Sequence, residues 1–362
     1  MFRGGSIHVW YNDPVTVRQY DGSESEASSM SVERQERTLL PHQKNKEHLL
    51  DLYRKMFLIR RFEERAGQEY MRGKIAGFLH LAIGEEAANV GMMVPLRPDD
   101  DVISHYRSHG QALARGLEPG PVMAELFGRA TGVSKGQGGS MHLASKEHHF
   151  WGGHAIVGGH IPVAVGMALA HQYTGSDRVV VCIFGDGSVN TGAFHEAMNL
   201  AGVWRLPVLF IASNNLYGMG TAIDRSSAVT EIYKRAAAYN MPGKRINGND
   251  VLEVEAEVRD AVERIRAGEG PRLIEAMTYR FRGHSLADPE LYRSKEEVAE
   301  WRARDPVFSF RDWVVAQGFA TEDEVSAIDA EVEQIVEDAV RFAEESPEPD
   351  PSTLYDYVYS NP

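Results

Sequence analysis

Residues 178–215 read RVVVCIFGDGSVNTGAFHEAMNLAGVWRLPVLFIASNN. Two apolar, β-branched runs, RVVVCIF (178–184) and PVLFIAS (207–213), flank a helical stretch from about Asn190 to Trp204. Strands with no polar alternation are buried on both faces, and a strand–helix–strand unit makes its two strands parallel neighbours. The crossover in such a unit is right-handed, so both strand ends open on the same edge of the sheet. That edge is where open α/β sheets bind ligands. The first strand ends in Gly185-Asp186-Gly187 and the second in Asn214-Asn215. Asp186 and Asn215, 29 positions apart, can therefore serve one small object. An Asp carboxylate, an Asn amide oxygen and a main-chain carbonyl are hard oxygen donors. They suit a hard octahedral ion such as Mg²⁺, completed by phosphate oxygens and water. Gly185 and Gly187 let the backbone approach those phosphates, and the helix that follows offers N–H groups to an anion.

Competing motifs fail at particular positions. The run from Gly185 has Asn190 where GxGxxG needs glycine, and His195-Glu196 is followed by Asn199 where HExxH needs histidine. His148, His149, His154 and His160 crowd together without thiolates or a zinc spacing, and no phosphate-loop GxxxxGK[ST] occurs.

Working outward, the rhythm persists on both sides. A helix is expected over 161–173, helices near 228–239 and over 251–267, a strand start at RINGND, and a strand over 272–279. Upstream, Leu49, Tyr53, Met56 and Ile59 or Arg60 recur at helical spacing within 44–73. Residues 77–110 read as loops between helices, and 132–160 are rich in glycine, implying tight turns or close approach to a ligand. From 294 onward the chain is acidic and helical until SPEPDP (346–351) stops it. The expected fold class is α/β, a parallel sheet with helices on both faces. Three segments follow: a polar N-terminal extension (1–44), one α/β domain (45–345) and a C-terminal tail (346–362).

Composition narrows the function. The 362 residues are 43% hydrophobic, enough for a sizeable core, and 38 basic against 52 acidic residues give a net charge of −14. A field of that sign disfavours nucleic acid, and no apolar run approaches a membrane span. The single cysteine, Cys182, cannot make an intrachain disulfide, and the acidic, polar first 44 residues resemble neither a secretory signal nor a transit peptide. A cytoplasmic location is expected.

The Gly-Asp-Gly and Asn-Asn pair resembles the thiamine-diphosphate motif. The resemblance extends over roughly residues 45–345, through FLHLAIGEEA (78–87), HYRSHG (105–110), GQGGSMHL (136–143), GGHAIVGG (152–159), GDGSVN (185–190), NNLYGMGT (214–221) and TYRFRGHSLADPELYR (278–293). Together these are similar to the α subunits of 2-oxoacid dehydrogenase E1 components, most of all to the pyruvate branch. Acetoin and branched-chain enzymes are the runners-up, and a non-catalytic α-like scaffold the remote one. The resemblance implies the phosphate-binding half of the thiamine-diphosphate fold, with thiamine diphosphate and Mg²⁺ as cofactors. Asp186 and Asn215 would bind the metal through side chains and Tyr217 through its carbonyl. Tyr106 and Arg107 would hold the diphosphate, beside Gly185, Gly187 and Ser188. Ile156 and Val157 would line the aminopyrimidine pocket, with Ala155 where the family usually has glycine. His284 would lie over the thiazolium with Arg280 and Tyr292 flanking its loop, and His80 would contact substrate or cofactor. The glutamate that activates the aminopyrimidine belongs in this family to a β chain. The resemblance therefore also implies an α2β2 assembly, inactive as α alone, whose product is passed to the lipoyl group of an E2 acyltransferase.

Overall fold

A computed structural model describes residues 39–356 and 358. Among the described residues, eight strands and eleven α-helices follow one another as α1 (Lys46–Met71), α2 (Glu86–Met93), β1 (Asp101–His105), α3 (His109–Arg115), α4 (Pro119–Leu126), β2 (Phe150–His154), α5 (Ile161–Thr174), β3 (Val180–Gly185), α6 (Gly192–Trp204), β4 (Val208–Asn214), β5 (Tyr217–Gly218), β6 (Thr221–Ala222), α7 (Ile223–Ser226), β7 (Gly243–Asn247), α8 (Val251–Arg264), β8 (Arg272–Met277), α9 (Lys295–Arg302), α10 (Pro306–Ala316) and α11 (Glu322–Glu345). Six strands form one sheet in the order β2-β1-β3-β4-β8-β7, every pair parallel, and β5 and β6 form a two-stranded antiparallel hairpin.

The expected α/β class holds because β3 is apolar through Phe184 and β4 through Ala212, the polar residues coming only at the strand ends. Val180, Cys182 and Phe184 pack on one face with Ile161, Ala164 and Ala168 of α5 and Phe194, Ala197 and Met198 of α6. Val181 and Ile183 point to the other face and are equally buried, so both faces are covered. Helix α6 begins where Thr191 Oγ1 accepts from the Phe194 N–H (3.3 Å), and it ends at Arg205 in the left-handed region (φ 51°). Helix α1 buries Leu49, Tyr53, Met56 and Ile59, the periodic positions of the sequence, and α11 packs against α1 and α4.

Three differences from the sequence reading matter. Residues 77–110 are not only loops between helices, for they include the interior strand β1, and the glycine-rich segment includes the edge strand β2. Both strands are five residues long, and DVISH and FWGGH lack the continuous apolar run of β3. Asp101 at the start of β1 compensates, its carboxylate taking His149 Nδ1 (2.9 Å), Trp151 Nε1 (2.5 Å) and His171 Nε2 (2.5 Å). The stretch near 228–239 is a 3-10 helix, Ile232–Tyr239, and its Tyr233 N–H goes to the buried Glu275 carboxylate (3.1 Å).

Most of the N-terminal extension, residues 1–38, lies outside the described residues. Its last residues form a 3-10 turn, Pro41–Lys44, against α8: Gln43 Nε2 donates to Leu252 O (2.9 Å), and His42 and His48 each set Nε2 3.0 Å from the buried Glu255 carboxylate. At the other end α11 stops at Glu345, as SPEPDP requires, and the chain beyond is tied down by Ala130 N–H to Pro347 O (3.0 Å).

Because β2 and β3 lie on opposite sides of β1, the strand order reverses at β1/β3. The crevice at the carboxyl ends of these strands is the topological switch point where ligands bind in open α/β sheets.

Candidate functional site

The turn after β3 and the loop after β4 meet at that crevice. Asp186 opens a 3-10 turn (Asp186–Ser188) and is buried together with Ser188. A Cβ on Gly218 would lie 3.3 Å from Gly187 Cα and 3.8 Å from Asp186 Oδ2, so these two loops are in contact and a side chain at 218 would crowd the Gly187 backbone. Burial pushes the Asp186 carboxyl up to about 6, against the nearby Arg280 and Arg107 charges. The two asparagines have different partners. Asn214 Nδ2 donates to the buried Glu275 (2.8 Å), while Asn215 Nδ2 donates to Glu85 Oε1 (3.1 Å), which Thr278 Oγ1 also reaches (3.0 Å). Leu216 and Met219 sit in the left-handed region (φ 72° and 59°), backbone strain held in place at the site's rim.

Arg280 fixes that loop. Its guanidinium donates to Met219 O (2.6 Å), Tyr292 Oη (2.8 Å) and, at 3.5 Å, Tyr217 O, and Tyr292 Oη donates to Asp288 Oδ2 (2.8 Å). Arg280 and Tyr292 thus brace the carbonyl of Tyr217 and the His284 loop together. Arg107, buried at the end of β1, donates to Leu81 O (2.6 Å) and His284 O (2.7 Å), so two of its nitrogens hold the protein's own loops.

Three rings converge beside it. His80 lies 4.7 Å from Tyr106 and 5.1 Å from His284 between ring centroids, and Tyr106 lies 5.8 Å from His284. Burial, helped by the Arg107 charge, holds the His80 imidazole down at about 3 and His284 at about 4, so both are neutral near pH 7. His80 Nδ1, His284 Nδ1, His105 Nε2 and Arg280 Nε are buried without a hydrogen-bond partner among the described residues. Orphaned polar atoms gathered at one crevice are what a polar ligand would satisfy. A hard-oxygen donor set closed by glycines, with arginines and unpaired imidazoles around it, fits a metal-bound diphosphate.

The three residues expected to line an aminopyrimidine pocket stand differently. Ala155, Ile156 and Val157 follow β2, with Ile156 76% and Val157 47% exposed. Their turn abuts the Asp186 segment, since a Cβ on Gly158 would lie 2.8 Å from Thr191 Oγ1. Apolar side chains facing solvent beside a site are a surface that another chain can cover.

Sequence reasoning missed several carboxylates. Glu85 braces Asn215, a role with no local signal. Glu125 explains the glycine-rich stretch, because its buried carboxylate accepts the N–H groups of Ser134 (2.8 Å), Gly136 (2.8 Å), Gly138 (2.7 Å) and Gly139 (3.0 Å). Those glycines close on the protein's own carboxylate. The crowded histidines take separate partners: His149 goes to Asp101, His148 to Ser145 Oγ (2.8 Å) and His160 to Ile183 O (2.8 Å), while His154 stacks on His160 with ring centroids 5.7 Å apart.

Such a site at the β1/β3 switch point of a parallel sheet defines a cofactor-dependent enzyme subunit, and residues 54–352 match the model of the dehydrogenase E1 component; the chain belongs to that family. Among individual proteins, it is 50% identical over 312 residues to the pyruvate dehydrogenase E1 component subunit alpha of Rhizobium meliloti, covering 86% of this chain and 90% of that one. It is 47% identical over 313 residues to the protein of the same name from Zymomonas mobilis, covering 86% and 88%. Identity to the chloroplastic subunit alpha-3 of Oryza sativa is 45% over 327 residues, covering 88% and 77%. Among the described residues no helix is long and apolar enough to cross a membrane.

Proposed function

We propose that this chain is the α subunit of a pyruvate dehydrogenase E1 component, catalysing the thiamine-diphosphate-dependent oxidative decarboxylation of pyruvate. The observation that carries the site is the contact of the Asp186 turn with the Asn215–Gly218 loop, with Arg107 nearby tying down the segments of His80 and His284. When bound, thiamine diphosphate supplies the electron sink that decarboxylation of a 2-oxoacid needs.

The protein's part follows from its own groups. Asp186, Asn215 and the Tyr217 carbonyl would hold Mg²⁺, whose charge would offset that of the diphosphate. Tyr106, Arg107 and His284 orient the diphosphate end, and Arg280 with Tyr292 keeps the Tyr217 carbonyl and the His284 loop in one arrangement. Held neutral, His80 and His284 can each accept or donate a hydrogen bond at a buried nitrogen. The exposed Ile156 and Val157 support completion of the site by a β subunit in an α2β2 assembly. The lipoyl group of an E2 acyltransferase then takes the acetyl group, and a cytoplasmic location suits the buried free thiol of Cys182.

The test is co-expression with a β-type subunit and dye reduction with pyruvate, 2-oxoisovalerate and acetoin side by side. Pyruvate should give the highest kcat/KM. Preference for acetoin or 2-oxoisovalerate would move the chain to that branch, and turnover by the α chain alone would overturn the two-chain site.

A further inference from the structure

His80 lies in an irregular segment, residues 79–84, with no helix or strand to set its position. Its main chain is instead tied at every residue from 79 to 84. Leu79 O accepts from Leu286 N–H (3.0 Å), Leu81 O from Arg107 (2.6 Å) and Ile83 O from Phe281 N–H (2.8 Å), all on one side. The intervening N–H groups point the other way. His80 N–H donates to Ser140 Oγ (3.2 Å), Ala82 N–H to Glu63 Oε1 (3.1 Å) and Gly84 N–H to Glu86 (3.0 Å).

The first two of those acceptors are joined to each other. His109 sets Nδ1 3.2 Å from Glu63 Oε2 and Nε2 2.8 Å from Ser140 Oγ, so its ring spans the gap between the two anchors. Glu63 and His109 are wholly buried, and Ser140 is 7% exposed. Glu63 comes from α1, His109 opens α3, and Ser140 follows directly on Gly138 and Gly139, whose N–H groups Glu125 holds. Three parts of the fold thus close one ring of hydrogen bonds around His80, Leu81 and Ala82.

We propose that Glu63, His109 and Ser140 form a positioning clamp that fixes the His80 imidazole in the catalytic crevice. This rests on the place given to His80 in the function above. Carboxylate, imidazole and hydroxyl in this order resemble the relay of a serine nucleophile. Here the hydroxyl is buried and accepts the His80 N–H, so it serves position and not attack. A buried network of this kind holds one geometry, and a displacement of about 1 Å at a reacting group can lower a rate by about 100-fold.

The experiment uses the assembled α and β subunits with thiamine diphosphate and Mg²⁺, comparing wild type, Ser140→Ala, Ser140→Thr, His109→Gln, the Ser140→Ala/His109→Gln pair and His80→Ala. Ser140→Ala and His109→Gln should each lower kcat by about 10- to 100-fold, with cofactor affinity within about threefold of wild type. The pair should lose no more than the worse single change, because both break one chain. Ser140→Thr, which keeps the hydroxyl, should recover most of the rate. If His109→Gln does not assemble, the two Ser140 variants decide alone. Wild-type kcat in Ser140→Ala, or equal losses in Ser140→Ala and Ser140→Thr, would overturn the clamp. Should His80→Ala turn over like wild type, the placement of His80 fails, and the clamp's role in catalysis fails with it. A rate loss in His80→Ala without one in Ser140→Ala would leave that placement standing and remove the clamp alone.

Discussion

Arg107 donates to the main-chain carbonyl of His284 across 2.7 Å, joining two residues 177 positions apart in the chain. A second nitrogen of the same guanidinium holds Leu81 O, so one buried side chain locks the segments carrying His80 and His284. Lysine has a single nitrogen and no fork, and cannot make both contacts in this geometry. Arg107→Lys should therefore loosen both segments together. The expected outcome is faster limited proteolysis within residues 281–293 and cofactor affinity weaker by about 10-fold or more, roughly 1.5–3 kcal/mol, measured by titration of thiamine diphosphate.

Asp186 is buried beside the Gly218 loop, and its replacement should act through the metal. Asp186→Asn should weaken Mg²⁺-dependent cofactor binding by about 100-fold, roughly 3 kcal/mol. Chelation of Mg²⁺ should lower thiamine-diphosphate affinity in wild type and change little in the variant. Calorimetry with and without a chelator checks this, and an equal chelator effect in both proteins would remove Asp186 from the metal.

Glu125 accepts four main-chain N–H groups at one buried carboxylate. Glu125→Gln keeps the shape but turns an amide NH2 toward N–H donors, leaving at least one of them unmet. The loop should lose about 2–4 kcal/mol of stability, read as a lowered urea midpoint with an unchanged slope.

Stability should fall in mild acid. His80 at about 3 and His160 and His284 at about 4 stay neutral in the folded protein, while in the unfolded chain they take up protons below about pH 6.5. The unfolded state then binds more protons between about pH 6.5 and 4, so stability drops as pH falls through that window. Asp186, raised to about 6, acts in the opposite sense, because its folded form keeps a proton that the unfolded form has lost. Urea midpoints of the cofactor-free protein from pH 7.5 to 4.5 should decline. They should decline more steeply in Asp186→Asn, which lacks the opposing group.

The two strands that decide the fold were legible because burial on both faces demands unbroken apolar runs, and RVVVCIF and PVLFIAS are such runs. Asp186 and Asn215 were legible for a related reason: a right-handed crossover puts successive parallel strand ends on one edge. The strands β1 and β2 were not. They are short, and Asp101 secures them through His149, Trp151 and His171, partners 48 to 70 positions away. Without them the switch point at β1/β3 could not be located.

The sequence by itself determined the α/β class, the strand-end carboxylate and amide, and the family resemblance, because each rests on local pattern and short spacing. Only the tertiary structure decided what Arg107 and Arg280 grip, that the glycine-rich stretch wraps Glu125, and that Glu63, His109 and Ser140 meet around His80. Those contacts join segments with no common period or motif. Their donors and acceptors become neighbours only when burial of both sheet faces brings the loops at the carboxyl edge together, away from water, where each polar group must find a partner.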